Sequence, residues 1–340
     1  MNDEIPVVGT QWTAADHRGA LAVRWGIGRY SYIVEPGLYA IGSPDVNAPV
    51  LVTANYKLSF DVLRRELAGQ DVFVLVLETL GINVWCAAGK GTFGTDELCR
   101  QIERVGLSRH VTHRRVILPQ LGAPGVAAHE VRQRTRFRVV YGPVEARDIP
   151  RFLEAGRKAT PAMRHKRFPL PERAALVPME LVPALKYGAP IAAGLALLGG
   201  LLGPASGFWT NVLSHGAVAA LAVMLAVLCG AVLTPLLLPW VPGRAFATKG
   251  ALVTLVIGAP LLWAASVWLT QSAGRPWVDV AGLATLCLAL ASFAAMNFTG
   301  SSTYTSLSGV EREMRVAVPV QLALGVIGLA GWALSISLVR

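Results

Sequence analysis

No Cys-x-x-Cys pair occurs in the 340 residues, which carry four cysteines, Cys86, Cys99, Cys229 and Cys287. The chain is therefore expected to hold no iron–sulfur cluster of its own, and electrons for any redox centre must come from a partner. A phosphate loop is missing too: the glycines around Lys90 fail the Walker spacing, because position 84 is Val and position 91 is Gly. The N-terminus has no basic-then-apolar leader, so the first domain is expected to stay in the cytoplasm. Beyond Lys186 ionisable residues nearly vanish, and the apolar stretches hold almost none, Asp279 lying near an interface. Ion-coupled transport generally needs intramembrane ionisable groups, so an anchor or docking platform is favoured over a pump.

What is present divides into two halves. Hydrophobic residues make up 53% of the chain and the mean hydropathy is +0.49, too apolar for one soluble domain. The excess is segregated, which predicts a cytoplasmic domain over 1–159, a connector over 160–186 and a transmembrane domain over 187–340. Five apolar stretches run about 187–202, 217–240, 251–270, 278–298 and 316–339. Each is near the ~20 residues that span a bilayer. Arg244 and Lys249 lie between the second and third, and Arg312 and Arg315 between the fourth and fifth. Pro204–His215 has no Lys or Arg, and Gln271–Trp277 has only Arg275. The positive-inside rule then predicts a multi-pass protein of the cytoplasmic (inner) membrane, with the N-terminal domain inside and Arg340 outside.

The net charge of +10 belongs mostly to the first half. Arg132, Arg134, Arg136 and Arg138 alternate in one run, with Arg114 and Arg115 nearby. Solvated faces near anionic lipid account for such a run with the fewest assumptions. No nucleic-acid motif accompanies the charge, so nucleic acid is not an expected partner.

Between Asn47 and Gly156 strand-like and helix-like runs alternate. Val50–Thr53, Val72–Leu77, Val116–Leu118 and Phe137–Tyr141 read as strands; Lys57–Leu67, Thr95–Val105 and Val126–Arg134 read as helices. This order predicts a Rossmann-like α/β domain with a largely parallel sheet, followed by an all-α transmembrane domain of five helices. Ligands of such sheets bind at the C-terminal ends of the strands. The loops there, Thr53–Asn55, Glu78–Gly94, Pro119–Gly125 and Gly142–Pro143, are rich in Gly, Pro, Thr or Asn and let backbone approach a large ligand.

The most informative stretch is Asn83-Val84-Trp85-Cys86-Ala87-Ala88-Gly89-Lys90. It reads as a short helix with Asn83 as N-cap and Cys86 in the first turn, where amide dipoles and Lys90 favour thiolate. Side chains three and four positions from Cys86 share its face, and these are Asn83, Gly89 and Lys90. The missing side chain at Gly89 leaves room for something broad and flat over the sulfur. Trp85 and Ala88 point elsewhere and anchor the helix. An exposed thiolate beneath a flat platform suits a metal in a macrocycle. A thiol for acyl transfer is the rival reading; no histidine lies near Cys86 in sequence, although His110, His113 or His129 could approach in space. Cys99, Cys229 and Cys287 read as inert hydrophobes.

This octapeptide closely resembles the cap-helix motif of the membrane-bound corrinoid proteins that methylate mercury (the HgcA family). Ala48–Tyr56 is similar to the strand that opens their corrinoid domain, Gly91-Thr92-Phe93-Gly94-Thr95 to the segment after the cap helix, and Asn297–Val310 to a second family signature. That corrinoid domain is in turn similar to the one in the corrinoid iron–sulfur protein of the acetyl-CoA pathway. The resemblance implies a cobalamin-type cofactor with Cys86 as lower axial ligand of cobalt. The cofactor is expected against Thr53, Asn55, Asn83, Val84, Trp85, Ala87, Ala88, Gly89, Lys90, Gly91, Thr92, Phe93, Gly94 and Thr95, with Leu121, Gly122 and Gly125 of the next loop. Histidine ligation through an Asp-x-His-x-x-Gly motif is disfavoured, because Asp16-His17-Arg18-Gly19 does not fit that spacing.

The activity implied is methyl transfer to inorganic mercury. Cobalt reduced to Co(I) takes a methyl group from a methyl-tetrahydrofolate-type donor system and passes it to Hg(II) held as a thiolate complex. The reductant implied is a small ferredoxin-like protein with two [4Fe–4S] clusters. Two rivals stay open: a corrinoid methyl carrier of one-carbon metabolism, and a membrane-tethered sensor or cofactor-binding module without turnover.

Overall fold

Residues 72–77 read Val-Phe-Val-Leu-Val-Leu, apolar on both faces, and such a strand needs cover on each side. In the computed structural model, which describes residues 5–204, 207–270, 276–298 and 307–337, it lies inside a five-stranded sheet. The strands are β1 (Gly37–Ile41), β2 (Val50–Ala54), β3 (Val72–Leu77), β4 (Arg115–Leu118) and β5 (Arg138–Tyr141), in the spatial order β1-β3-β2-β4-β5. Strands β3, β2, β4 and β5 are mutually parallel, and β1 closes one edge antiparallel to β3.

Seven helices belong to this part: α1 (Ala14–Arg24), α2 (Lys57–Glu66), α3 (Val84–Lys90), α4 (Thr95–Arg104), α5 (Leu107–His110), α6 (Ala128–Thr135) and α7 (Ile149–Glu154). Side-chain alternation sorts them to two faces. Leu51, Val74, Val76 and Ile117 pack with Phe60 and Leu63 of α2 and Phe152 of α7. Val50, Val52, Leu75 and Leu118 pack with Ala87 and Ala88 of α3, Leu98 and Cys99 of α4, and Val131 of α6. The chain therefore leaves β2 over one face, and leaves β3 and β4 over the other. The strand order reverses between β2 and β4, and that crevice is where sheets of this kind take ligands.

Helix α1 was not anticipated, although Thr13 and Asp16 cap it reciprocally. It is held to α2 by a cluster of charges: Lys57 Nζ lies 2.6 Å from both Asp16 Oδ1 and Asp61 Oδ2, and Arg64 lies 2.7 Å from Asp16 and 2.8 Å from Asp61. Arg64 also donates to the carbonyls of Gly9 and Gln11 at 2.6 and 2.8 Å. Burial alone pushes the Asp16 carboxyl up, but the Lys57 ammonium and the Thr13 donors outweigh it and hold it well below the usual carboxylate range. Strand β1 was likewise unanticipated.

The chain separates into two compact units, Met1–Arg167 and Phe168–Arg340. Among the described residues the second contains five helices long and apolar enough to cross a membrane: Leu170–Leu202, Phe208–Leu237, Phe246–Leu269, Val280–Asn297 and Gly309–Ser337. The first begins well before the expected span, so the expected connector over 160–186 is helical from Leu170 onward, with Pro178, Pro183 and Pro190 inside. Small residues let these helices touch backbone to backbone. A Cβ on Gly282 would lie 2.5 Å from the Trp332 nitrogen, and one on Gly199 2.6 Å from Gly216. Cys229 and Cys287 are buried in this core beside Trp332. Of the second signature, residues 299–306 lie outside the described residues; Phe298 is fully buried.

Candidate functional site

The cap helix α3 starts and stops as its residue types dictate. Asn83 is extended (φ −65°, ψ 160°), and its side-chain oxygen accepts the Cys86 N–H at 3.0 Å. Its carbonyl accepts from Ala87 N–H at 2.9 Å, the first bond of the helix. Eight residues on, Gly91 turns left-handed at φ +80° and ends it. Nothing lies within 4 Å of where a Gly91 Cβ would be, so conformation rather than crowding demands glycine there.

This geometry divides α3 into a seat and a top. Ala87 and Ala88 face the core at 0% and 6% exposure. Cys86 and Trp85 are half-buried, whereas Gly89, Lys90 and Gly91 are exposed. The buried anchor is thus the alanine pair, with Trp85 at the side. The Cys86 thiol is free. Beside it lie open space over Gly91 and no side chain at Gly89, which fits a flat macrocycle resting over sulfur. Among the described residues no group of three or more His, Cys, Asp or Glu gathers to hold a metal.

Beneath the helix, backbone packs on backbone. A 3-10 segment, Gln120–Gly125, follows β4 into the crevice. A Cβ on Gly122 would lie 2.5 Å from the Phe93 ring, and one on Gly125 would overlap the Phe93 carbonyl and reach 3.1 Å from Ala88 Cα. Phe93 is fully buried, and its N–H donates to the Ala87 carbonyl at 3.1 Å. A Cβ on Gly94 would come 2.7 Å from the Gly91 oxygen. Thr95 Oγ accepts the Ala127 N–H at 2.8 Å, tying α4 to the start of α6. Of the residues singled out by sequence, Ala87, Ala88, Phe93, Gly94, Gly122 and Gly125 thus form the support. Thr92 and Leu121 are half-buried at its rim, as are Asn83 and Val84.

Asn55, directly after β2, is 1% exposed and engaged entirely with protein. Its Oδ1 accepts from Thr79 N–H at 3.1 Å, Thr79 Oγ at 2.8 Å and Gly81 N–H at 3.1 Å, and its Nδ2 donates to Glu78 at 2.8 Å. Glu78 in turn accepts the Leu80 N–H at 2.7 Å. Glu97 of α4 accepts both the Glu78 N–H and the Gln101 amide at 2.8 Å. Asn55 therefore fixes the loop that delivers the cap helix. Glu78, Thr79, Glu97 and Gln101 were missed by sequence reasoning; a lone Asn ending a buried strand was the available signal. Thr53, 4% exposed, lies at the same strand end.

The other candidate groups are structural. Cys99 is fully buried, and burial pushes its thiol up against the partial opposition of Arg134. His113 pairs with the Ala48 carbonyl at 2.8 Å and accepts the Arg115 N–H at 3.2 Å.

Comparison with known proteins falls on this unit. Residues 28–153 match the family described as CO dehydrogenase/acetyl-CoA synthase delta subunit (CdhD). The chain is 34% identical over 123 residues to the acetyl-CoA decarbonylase/synthase complex subunit gamma of Methanopyrus kandleri, covering 36% of this chain and 26% of that protein. It is 31% identical over 124 residues to the corrinoid/iron-sulfur protein large subunit of Moorella thermoacetica, covering 36% and 27%. The chain thus spans about a quarter of the length of these curated relatives. Its first unit carries a domain similar to the corrinoid iron–sulfur protein large subunit of the acetyl-CoA pathway.

Proposed function

We propose that this chain is a membrane-embedded, corrinoid-dependent methyltransferase whose Cys86 thiolate is the lower axial ligand of cobalt and whose methyl acceptor is inorganic Hg(II). The observation that carries this reading is the place of Cys86: a half-exposed thiol in the first turn of a glycine-flanked helix, seated over the crevice between β2 and β4. When bound, the corrinoid supplies a reducible cobalt able to accept a methyl group and hand it on.

The chain's own residues do the rest. Cys86 would hold the corrinoid's metal through a sulfur that donates more electron density than imidazole, and the corrinoid would supply the methyl-transfer chemistry. Asn83 fixes the helix start, so the sulfur is held at one height. Gly89 and Gly91 keep the platform clear, Lys90 sets a positive charge beside it, and Thr92 and Leu121 form the rim. The proposed arrangement continues with the first domain on the cytoplasmic side, a ferredoxin-like reductant with two [4Fe–4S] clusters, a methyl-tetrahydrofolate-type donor and Hg(II)–thiolate as substrate.

A second reading has its own support. The Methanopyrus kandleri relative is a subunit of an acetyl-CoA decarbonylase/synthase complex and the Moorella thermoacetica relative is a corrinoid/iron-sulfur protein, which favours a corrinoid methyl carrier of one-carbon metabolism. Both readings need the corrinoid and Cys86, and they part at the acceptor. The test is to load the full chain with methylcobalamin, add Hg(II)–thiolate, and follow Co–CH₃ absorbance and methylmercury together. Loss of the band with matching methylmercury, absent in Cys86→Ala, supports mercury methylation. A Co–CH₃ band that persists beside Hg(II) sends the assignment to the carrier.

A further inference from the structure

The helical unit carries a second site of different chemistry. Arg173 lies near the start of the Leu170–Leu202 helix and is 3% exposed. Its guanidinium carbon sits 5.2 Å from the centre of the Trp240 ring. One turn further, Leu176 packs with Phe168, Leu238, Phe246 and Phe298, whose rings lie 6.2 Å from one another along the Phe168–Phe298 and Phe246–Phe298 pairs. Arg173 Nε and Nη1 are both buried and without a hydrogen-bond partner. The turn that presents Trp240 is also the seat of a second buried cation. Lys249, 9% exposed, donates to the carbonyls of Leu238, at 2.8 Å, and Val241. Glu313, an acid facing this end, is occupied with the Ala247 N–H at 2.7 Å.

An arginine cannot escape this position by losing its proton, and two unpaired N–H groups on a buried charge are costly. The face of Trp240 offsets part of the charge but accepts no hydrogen bond in the plane of the guanidinium. Nε–H and the Nη1 hydrogens point from different edges of the planar guanidinium, so an anion must offer more than one oxygen to satisfy them, as a phosphate group does. We infer that Arg173, with Trp240 beside it and Lys249 bound to the carbonyls of the Trp240 turn, is a receptor for a phosphate group. Two sources present that chemistry, a phospholipid headgroup at the membrane surface and a soluble phosphate. The site is independent of the corrinoid and of the reading of Cys86.

The test is thermal unfolding of the full chain in a neutral, phosphate-free detergent solution, delipidated and then titrated separately with phosphatidylglycerol and with inorganic phosphate. Stabilisation by phosphatidylglycerol alone, lost in Arg173→Met, identifies a headgroup site; stabilisation by inorganic phosphate as well, lost in the same variant, identifies a soluble ligand. Arg173→Met keeps the apolar stem and removes the charge. Lys249→Met is the second variant and should weaken the same response at least threefold. The inference is overturned if neither titrant shifts the wild-type midpoint, or if Arg173→Met responds as wild type does.

Discussion

Cys86 and Cys99 are thirteen residues apart on consecutive helices of one domain, and the fold gives them opposite fates. Cys99 sits mid-helix in α4, faces the sheet and is fully buried, with its thiol pushed up by burial. Cys86 sits in the first turn of a seven-residue helix whose buried residues are Ala87 and Ala88, with Val84 partly buried against the same core. The difference lies in the sockets, not the sulfur. A long amphipathic helix turns its cysteine into core, whereas a short helix raised on two alanines keeps its cysteine at the surface. Exposure here is a property of helix length and of what the helix stands on.

The comparison breaks most visibly by substitution at the two thiols. Cys86→Ala is expected to reduce methyl transfer to background while the melting curve stays near wild type. Cys99→Ala is expected to retain transfer and lose about 1 kcal/mol of stability, as removal of a small buried group does. Methylmercury formation and thermal unfolding of both variants check this, and loss of transfer in Cys99→Ala alone would reverse the assignment.

The socket of Cys86 is expected to fail next. Asn55→Ala leaves the Thr79 N–H, the Thr79 hydroxyl and the Gly81 N–H without their shared acceptor, at a cost of about 3 kcal/mol. The loop before α3 should loosen, so iodoacetamide should label Cys86 faster while Cys99 stays protected. Mass spectrometry of the alkylated chain measures both thiols at once; equal labelling of Cys86 in variant and wild type counts against the latch.

Acid should separate the N-terminal clamp from the cap. The Asp16 carboxyl is held below its ordinary value, so its contribution is present above the unfolded value of about 4 and is lost as pH falls toward the folded value. Unfolding midpoints recorded downward from pH 5 should fall for wild type, and Asp16→Asn should flatten that part of the profile. The smallest effect is expected at the helix start: Asn83→Ala removes one cap, worth about 1 kcal/mol, which a denaturant titration resolves.

Much of the sheet domain was legible because β2, β3 and β4 are short apolar runs and the helices between them have an apolar stripe. β1 escaped notice because Gly37–Ile41 opens on glycine and is set between Pro36 and Gly42, so turn-type residues mask its apolar run. The start of the first apolar helix was hidden by Pro171, Pro178 and Pro183, which read as a connector yet lie within one continuous helix. At the site, Asn83, Cys86 and Gly91 could be placed by spacing alone, because a cap, a first turn and a left-handed stop are local. Asn55 could be picked out but not given its task. Its partners are 24 and 26 residues away along the chain, and only pairing of β2 with β3 brings them together. Arg173 had no local signal of any kind.

Phe93, locked between Gly122, Gly125 and the Ala87 carbonyl, has a consequence for how the protein acquires its cofactor. The seat beneath Cys86 is complete without a ligand, so nothing has to fold or close before a macrocycle arrives. Binding then incurs little ordering entropy, and loading should proceed as a single bimolecular step whose rate rises linearly with corrinoid concentration. Release should face the same rigid seat, so under the proposed ligation through Cys86 residence time would be governed by that bond to sulfur rather than by motion of the chain.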